Sequence, residues 1–531
     1  MNSEKDKLTV KVFKYNPEVD EKPYYSIYEV PWREGMTVLE VLRYIYEVYE
    51  PIAFRFHCRS GICGACGVML NGRPVLACRT YVDKPGEIVI EPLKNFNVIR
   101  DLIVDRRPAL EQTIKLEPWL IRSKRPSDFE KLEWPLEERE LFYLLSTCRE
   151  CYLCRAACPV AEVGLKRPDI TRYPGAKFYI RDLATRFFDP RDEAKDVRCV
   201  KLRDDIDAYA CTTCKKCWEV CPREFEIPEV MEILRSFIAK AGMGPLEGHK
   251  VFVNFILKTG RSVERQKTPL LEQVPEIVDV SNPVDEVLFF TGCLIDYRLQ
   301  GVGLGVIEVL KRNNVRVIIP KDQQCCGSPA IRSGLFDVGK AQALKNTEVF
   351  ERYGVKKVVM GCPGCLLTWR INFPKFVSQV RGYPPRLEVY EVVEYLVNVI
   401  GLDRLNKQLG RIDMTVTYHD SCHLRRGCGI WKEPRELIKL IPGLEFKEMM
   451  EHDVCCGSGG GVRASRRAVS VEVGKRKAAN IMAAGVEGVI MECPFCYIQI
   501  SDMLQQFNGG KVKVLYLVDL MADAYRRAES R

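Results

Sequence analysis

The sequence predicts a multidomain chain with a small strand-rich amino-terminal domain, a helical middle domain and a duplicated α/β carboxyl-terminal half. Its 531 residues are enough for about three or four domains. The 24 cysteines fall in tight groups bracketed by Gly and Pro. In the second half, one layout occurs twice at nearly equal intervals: a single Cys, a Cys-Cys-Gly and a Cys-x-x-Cys. Such repetition indicates an internal duplication.

The cysteines indicate metal binding in a reducing compartment. Secreted disulfide scaffolds are short and follow a signal peptide, whereas this chain opens with the polar segment Met1–Lys7. No run approaches the roughly 18 apolar residues of a membrane-spanning helix. The net charge of +9 counts no thiolates, and the basic clusters lack the interleaved aromatic residues of a nucleic-acid groove. We therefore expect a cytoplasmic protein with no direct membrane span and no nucleic-acid partner.

The amino-terminal segment reads as two strands and a helix. Leu8–Phe13 and Tyr25–Val30 alternate apolar and polar residues, which predicts two half-buried strands. Thr37 and Glu40 form a capping box, which predicts an amphipathic helix through about Tyr49.

A glycine-rich loop follows, with the spacing Cys-x4-Cys-x2-Cys and a fourth cysteine after an Asn-Gly turn. This spacing is typical of plant-type [2Fe-2S] sites, whereas a zinc site would use two knuckles. The predicted ligands are Cys58, Cys63, Cys66 and Cys78.

The middle segment contains two runs of Cys-x2-Cys-x2-Cys-x3-Cys-Pro. In two-cluster ferredoxins the fourth cysteine of each run ligates the other cluster, and two full repeats disfavour zinc. Stretches between the runs, such as Lys177–Phe187, are helix-like, so we expect an α-helical ferredoxin. Cys199 belongs to no motif and is predicted to be structural. The predicted [4Fe-4S] sets are Cys148, Cys151, Cys154 and Cys221 for the first cluster, and Cys158, Cys211, Cys214 and Cys217 for the second.

Strand-like segments precede the cysteines of the duplicated half, and helix-like segments such as Gly305–Lys311 and Val471–Ala483 connect them. Open α/β sheets place their sites just past strand ends. We therefore expect the thiols of each copy to cluster there. The predicted strands are Val287–Phe290, Val315–Ile319, Val358–Met360, Val416–Tyr418 and Val489–Met491.

Segments that contain Gly or Pro indicate the domain boundaries. Gly242–Pro245 and Ser281–Pro283 bracket a polar stretch that we interpret as a linker. The predicted divisions are 1–103 for the [2Fe-2S] domain, 104–242 for the helical ferredoxin domain, 243–285 for the linker, and 286–405 and 406–531 for the two copies.

Several other residues near the second copy allow more than one interpretation. His423, next to Cys422, could shuttle a proton, donate a hydrogen bond to a ligand or cap a helix. Gly457–Gly461 could hold an anion, although close approach of the backbone to a cluster explains it better. Cys428 has no counterpart in the first copy. Five arginines could bind an anionic thiol or form a solvated surface: Arg425, Arg426, Arg463, Arg466 and Arg467.

The first 240 or so residues resemble the iron–sulfur subunit of succinate dehydrogenase and fumarate reductase. The resemblance rests on Phe54-Arg55, on Cys58–Cys66, on Asn71–Cys78 and on both ferredoxin runs. It implies a β-grasp fold around the [2Fe-2S] site. Quinone-linked members commonly lack the second Cys of the second run, so Cys214 favours a [4Fe-4S] cubane and weakens the inference of a quinone site.

The duplicated half resembles the CCG domains of heterodisulfide reductase and of the iron–sulfur subunit in thiol:fumarate reductases. The resemblance implies two non-cubane [4Fe-4S] clusters, each ligated by five cysteines, with a disulfide formed or cleaved between them. The implied ligands are Cys293, Cys325, Cys326, Cys362 and Cys365 for one cluster, and Cys422, Cys455, Cys456, Cys493 and Cys496 for the other.

Together, the resemblances imply an iron–sulfur subunit that oxidises coenzyme M and coenzyme B thiols and passes the electrons to a fumarate-reducing flavoprotein. The chain carries no Gly-x-Gly-x-x-Gly fingerprint, so FAD is expected on the partner. One alternative is the electron-transfer subunit of a succinate, fumarate or other 2-hydroxy acid oxidoreductase that is linked to a quinone or another carrier, with the CCG domains as relays. Another is a heterodisulfide reductase component that works in the opposite direction.

Overall fold

The computed structural model describes residues 7–123 and 133–529. Within this part of the chain, no helix is long and apolar enough to cross a membrane. The residues divide into two compact units. The first unit comprises Met1–Ala208 and Lys215–Leu234, and the second comprises Tyr209–Cys214 and Arg235–Arg531.

The first unit begins with a five-stranded sheet. Its strands are β1 (Lys7–Lys14), β2 (Tyr24–Pro31), β3 (Gly67–Leu70), β4 (Arg73–Leu76) and β5 (Gly86–Glu91). The strand order is β2-β1-β5-β3-β4, with β1 antiparallel to β2 and parallel to β5. Alternate residues of β1, namely Leu8, Val10 and Val12, are fully buried, as the alternation in the sequence predicts.

The predicted helix of this domain is confirmed and spans Val38–Val48. Thr37 is its N-cap, and the Thr37 hydroxyl accepts a hydrogen bond from the Glu40 amide while the Glu40 carboxylate accepts one from the Thr37 amide. The capping box therefore fixes where the helix starts. This helix is the last one before the cysteine loop.

The rest of the first unit is mainly helical after a short hairpin of β6 (Val98–Arg100) and β7 (Ile103–Val104). The segment predicted to be helical, Lys177–Phe187, contains a π-helical turn at Phe178–Ala184 that continues as α-helix. The other helices from 104 to 242 are Arg107–Leu116, Leu136–Ser146, Leu153–Ala156, Pro159–Lys166, Lys195–Val200, the π-helix Lys201–Asp205, the 3-10 turn Ala208–Ala210, Lys216–Glu219 and Ile227–Lys240.

The segment 243–285, interpreted as a linker from its polar composition, is folded. It forms the helices Glu247–Thr259 and Leu270–Gln273 and the short strand β8 (Ile277–Val278). Leu270 and Leu271 are buried in the core of the following domain, and β8 adds an antiparallel edge to its sheet.

Two mainly parallel sheets form the second unit. The first sheet contains β8, β9 (Asp285–Phe290), β10 (Val315–Ile318), β11 (Lys357–Met360) and β12 (Glu388–Glu391), in the order β12-β11-β9-β10-β8. The second sheet contains β13 (Met414–Tyr418), β14 (Leu444–Phe446), β15 (Gly488–Met491) and β16 (Lys513–Tyr516), in the order β14-β13-β15-β16. Each of the five strands predicted from the sequence is present.

Helices connect these strands. The two predicted helical segments lie within Gln300–Arg312 and Arg467–Ala483. The remaining α-helices of the second unit are Gly292–Tyr297, Ser328–Arg332, Phe336–Glu351, Pro363–Leu367, Phe373–Arg381, Val392–Glu394, Glu433–Leu440, Val462–Ser465, Pro494–Asn508 and Leu517–Glu529. Its π-helices are Thr368–Asn372, Tyr395–Gly401 and His423–Gly427. One continuous apolar core runs through both copies.

Candidate iron–sulfur sites

The cysteine loop of the amino-terminal domain surrounds a small group of thiols. The Sγ atoms of Cys66 and Cys78 lie 3.3 Å apart, and both residues are buried. The amides of Ile62 and Cys63 donate to Cys58 Sγ at 3.2 and 3.3 Å. Donation from the Cys63 amide, with further hydrogen bonds from Ser60, lowers the pKa of the Cys58 thiol to about 5. These amides favour the thiolate, which is the form that ligates metal.

Gly64 brings this loop against the first ferredoxin run. Its φ is +68°, and a Cβ at this position would lie 2.4 Å from the carbonyl oxygen of Arg149 and 2.9 Å from Cα of Cys151. A side chain cannot fit there, so the loop and the run touch backbone to backbone.

Four cysteines of the first unit line one cavity. Three come from the first run and the fourth from the second run, as the two-cluster pattern predicts. Burial raises the pKa of the Cys154 thiol well above its usual range. Lys177 also lines this cavity, and its Nζ lies 2.9 Å from a carboxylate oxygen of Asp182. The four thiols are those of Cys148, Cys151, Cys154 and Cys221.

The other predicted cubane set divides between the two units. Cys158 and Cys217 belong to the first unit, where Cys158 Sγ accepts from the Ala161 amide at 3.5 Å. Cys211 and Cys214 belong to the second unit, where Cys211 Sγ accepts from the Thr213 amide at 3.4 Å.

The first CCG copy gathers its five cysteines around one cavity, just past the carboxyl ends of the parallel strands. All five are buried, and Pro494 and Phe495 of the second copy complete the lining. The two copies therefore meet at this site. The cysteines are Cys293, Cys325, Cys326, Cys362 and Cys365.

The second copy places its thiols at the same position in its own sheet. Cys422 and Cys493 follow β13 and β15, and the Sγ atoms of Cys456 and Cys496 lie 3.5 Å apart. Cys422 is partly exposed, whereas the other four, including Cys455, are buried.

Cys214 of the second ferredoxin run reaches this second set. A hydrogen bond between the thiols of Cys214 and Cys455 raises the pKa of Cys455, with contributions from Cys422 and Cys456. Cys214 is therefore in direct contact with the second five-cysteine set.

Three side chains hold the Cys211–Cys214 segment in place. Arg235 Nη2 donates to the carbonyl of Cys211 and Arg426 Nε to that of Cys214, each at 2.7 Å. His423 Nε2 lies 3.4 Å from the carbonyl of Thr213. Arg426 was expected on a solvated surface or at an anionic ligand. It is buried instead, because its guanidinium also bonds to the backbone and carboxylate of Asp453.

The glycine-rich run packs against the same segment. A Cβ on Gly459 would lie 2.4 Å from the Thr212 carbonyl oxygen, and one on Gly460 would lie 2.3 Å from that of Cys211. Glycines are needed here because the backbone of this run lies directly against the backbone of the ferredoxin cysteine segment.

His423 lies between the two copies. Its Nε2 is held at the ferredoxin cysteine segment by the contact with the Thr213 carbonyl oxygen. Nδ1 lies 3.8 Å from the position of a Cβ on Gly364, inside the Cys-x-x-Cys of the first copy.

Of the two cysteines outside the motifs, Cys199 is buried, and burial raises its pKa to about 11. Cys428 is partly buried against the core of the second unit. Sequence reasoning missed Lys477, which is fully buried near Cys456. A lysine in a helix ordinarily points to solvent, so the residue type gives no sign of burial. The one signal in the sequence is its spacing, since Lys477 precedes its Cys-x-x-Cys by as many residues as Asn346 precedes that of the first copy.

Known protein families match each of these regions. Residues 9–111 match the 2Fe-2S iron-sulfur cluster binding domain, residues 141–222 the 4Fe-4S dicluster domain, and residues 287–370 and 416–501 the Cysteine-rich domain. These domains define a multidomain iron–sulfur electron-transfer subunit.

One relative matches almost the whole chain, and others match part of it. It is 37% identical over 529 residues to a subunit of "Fumarate reductase (CoM/CoB)" from Methanothermobacter marburgensis, covering 98% of this chain and 99% of that protein. It is 28% identical over 393 residues to a subunit of "Dihydromethanophenazine:CoB--CoM heterodisulfide reductase" from Methanosarcina barkeri, covering 72% and 94%. It is 34% identical over 233 residues to "Fumarate reductase iron-sulfur subunit" of Haemophilus influenzae, covering 41% and 88%.

The chain belongs to the family of this CoM/CoB fumarate reductase subunit, and the resemblance inferred from its motifs is confirmed. A crystal structure of a hypothetical protein from Helicobacter pylori has a similar fold, with a TM-score of 0.62 at 13% identity over 99% of this chain and 96% of that one.

Proposed function

We propose that this chain is the thiol-oxidising iron–sulfur subunit of a cytoplasmic fumarate reductase. Two thiols, coenzyme M and coenzyme B, would form a mixed disulfide and release two protons and two electrons. A flavoprotein partner would use two electrons and two protons to reduce fumarate to succinate. The grouping of the 24 cysteines in metal-ligand motifs supports a reducing location.

The observation that carries this proposal is the meeting of the two copies at the first five-cysteine set. Residues of the second copy line the cavity of the first, and His423 of the second copy faces Gly364 of the first. A disulfide forms from two thiols held close together, and facing sites provide that proximity.

The donor sets fit the clusters that the family implies. A β-grasp [2Fe-2S] domain would use the thiols of the first loop, which already receive backbone donors. Two [4Fe-4S] cubanes would use the crossed sets of the two ferredoxin runs, and two non-cubane [4Fe-4S] clusters would use the five-cysteine sets. When bound, these clusters supply one-electron carriers and sites for thiolate sulfur.

The protein's own residues would do the remaining work. Gly64 and the contact between Cys214 and Cys455 keep neighbouring donor sets close, which favours electron transfer along the chain. We propose that His423 accepts a thiol proton, because its ring reaches the Cys-x-x-Cys loop of the first copy while it belongs to the second. The buried surroundings would keep water from the reacting sulfurs.

The test uses the anaerobically purified full chain with its flavoprotein partner. Coenzyme M and coenzyme B together should drive fumarate reduction, and either thiol alone should not. His423→Gln should lower this rate while iron and acid-labile sulfide content stay unchanged. Full cluster loading with quinone or dye reduction, but no thiol-dependent turnover, would contradict the proposal and favour an electron relay.

A further inference from the structure

The two copies keep the same cysteines but differ at buried positions beside them. Phe290 and His419 each lie three residues before the single cysteine of their copy. Phe290 is fully buried and packs on the rings of Phe350 and Trp369, with centroids 5.7 and 5.4 Å away. The same position in the second copy carries an imidazole.

His419 is directed at the thiols of the second set. It is 1% exposed, and a ring nitrogen lies within 4.8 Å of the Sγ atoms of Cys456 and Cys496. Among the described residues, neither ring nitrogen has a nitrogen or oxygen hydrogen-bond partner. An imidazole keeps at least one N–H to donate in either protonation state.

A second buried position also differs between the copies, and in the second copy it carries a basic residue. Asn346 precedes the Cys-x-x-Cys of the first copy by the same number of residues as Lys477 precedes that of the second, and both are fully buried. The Asn346 amide is satisfied by the backbone, since it donates to the Cys325 carbonyl and accepts from the Gln324 amide. It therefore contributes no charge to the first set.

Lys477 Nζ donates to the carbonyls of Glu451 and His452 at 2.8 and 3.0 Å. Within the described part of the chain, no carboxylate forms a salt bridge with it. Burial lowers its pKa to about 8, with opposing effects from Asp453 and then from the Cys456 thiolate, so the amine is mainly protonated at neutral pH. The cation that acts on Cys293 of the first set, Arg261, is paired with buried Asp296 at 3.1 Å.

We propose that His419 and Lys477 give the second five-cysteine set a higher reduction potential than the first. A reduced cluster carries one more negative charge, so a buried ammonium and an N–H donor stabilise the reduced form more than the oxidised form. Electrons released at the facing sites would then move from the first set to the second. From there the contact between Cys455 and Cys214 leads to the ferredoxin cysteines.

This inference rests on the proposed function, because it requires a cluster in each set. The test is an EPR-monitored redox titration of the anaerobically purified full chain. Lys477→Asn and His419→Phe install the residues of the first copy. Each should shift the higher of the two non-cubane midpoints to a more negative potential and leave the lower one in place. Lys477→Arg, which keeps the charge, should leave both midpoints unchanged.

The reciprocal variants provide the matched control. Phe290→His and Asn346→Lys should raise the midpoint of the first set only. A pulsed electron–nuclear measurement on the wild-type chain needs no variant to fold: one non-cubane signal should show coupling to an imidazole nitrogen. Absence of that coupling, or midpoints that do not respond to these substitutions, would overturn the inference.

Iron and sulfide content separates the two possible failures. If the iron content matches only the [2Fe-2S] and cubane clusters, neither five-cysteine set holds a cluster, and the proposed function fails together with the inference. If both non-cubane signals are present but His419→Phe and Lys477→Asn leave them unchanged, only the potential difference is refuted.

Discussion

Replacing Gly460 by alanine should destabilise the second unit far more than the same change at Gly485. The two glycines have nearly the same backbone conformation, with φ of +62° and +61°. They differ in what a Cβ would meet. At Gly460 it would lie 2.3 Å from the Cys211 carbonyl oxygen and 3.1 Å from the Thr212 carbonyl carbon, whereas at Gly485 nothing lies within 4 Å.

The expected difference follows from this comparison. A left-handed backbone costs an L-residue about 1–2 kcal/mol, partly offset by about 0.4–1 kcal/mol from the less flexible unfolded chain. Both variants share these effects. Gly460→Ala must in addition move backbone by about 1 Å, and overpacking of this kind costs about 1–3 kcal/mol. At about 2–4 °C per kcal/mol for a large domain, its Tm should lie about 2–12 °C below that of Gly485→Ala.

The assay is anaerobic thermal unfolding followed by far-UV circular dichroism at one scan rate, with iron content determined on the same samples. Under the proposed function, Gly460→Ala should also slow electron transfer to and from the second five-cysteine set, because Cys214 belongs to the displaced segment. Equal Tm values for the two variants would refute the close approach of Gly460 to Cys211 and the reason given for the glycine-rich run.

Three further changes test other parts of the structure. Arg426→Met removes the donor to the Cys214 carbonyl and the ion pair with Asp453, so the free energy of unfolding from urea titration should fall by about 2–4 kcal/mol. The matched change at an exposed arginine, Arg404→Met, should cost less than about 0.5 kcal/mol. Asp519→Asn should stabilise the chain by about 1–3 kcal/mol at pH 7.5. Burial raises the pKa of Asp519 from 3.8 to about 6, the folded state binds the extra proton between these values, and its stability therefore falls as the pH rises through that window. The gain should shrink at pH 5, and a pH-independent gain would show that the carboxyl is not perturbed. Thr37→Ala should cost about 1 kcal/mol through loss of the N-cap, and an unchanged urea midpoint would mean that the cap contributes nothing.

Local patterns were sufficient to predict most of the elements. The strands before the cysteines are short apolar runs, and the helix after Thr37 has a start signal that needs no tertiary information. Cysteine spacing likewise predicted which thiols share the cavity of Cys148 and Cys221. The spacing works because three ligands on one turn must be a few residues apart, whatever surrounds them.

The features that the sequence did not reveal are contacts between distant segments. Gly460 touches Cys211 and Arg426 touches Cys214, yet each pair is more than 200 residues apart in the chain. Composition described 243–285 as polar and broken, but Leu270 and Leu271 bury into the neighbouring core. Periodicity within a segment cannot report a partner that arrives from elsewhere.

The duplication itself explains why the two sets can differ in role. Both copies keep all five cysteines, so the sequence differences discussed here lie at residues beside each five-cysteine set. In the Cys-x-x-Cys loops, Gly364 of the first copy faces His423, and a Cβ there would make only ordinary van der Waals contacts. The corresponding Phe495 of the second copy instead fills the wall of the first cavity. Gly364 thus places no side chain beside His423, the proposed proton acceptor, whereas the Phe495 ring forms part of the wall of the first cavity. Two thiols entering this region would meet unequal sites, which is what the formation of a mixed disulfide from two different thiols requires.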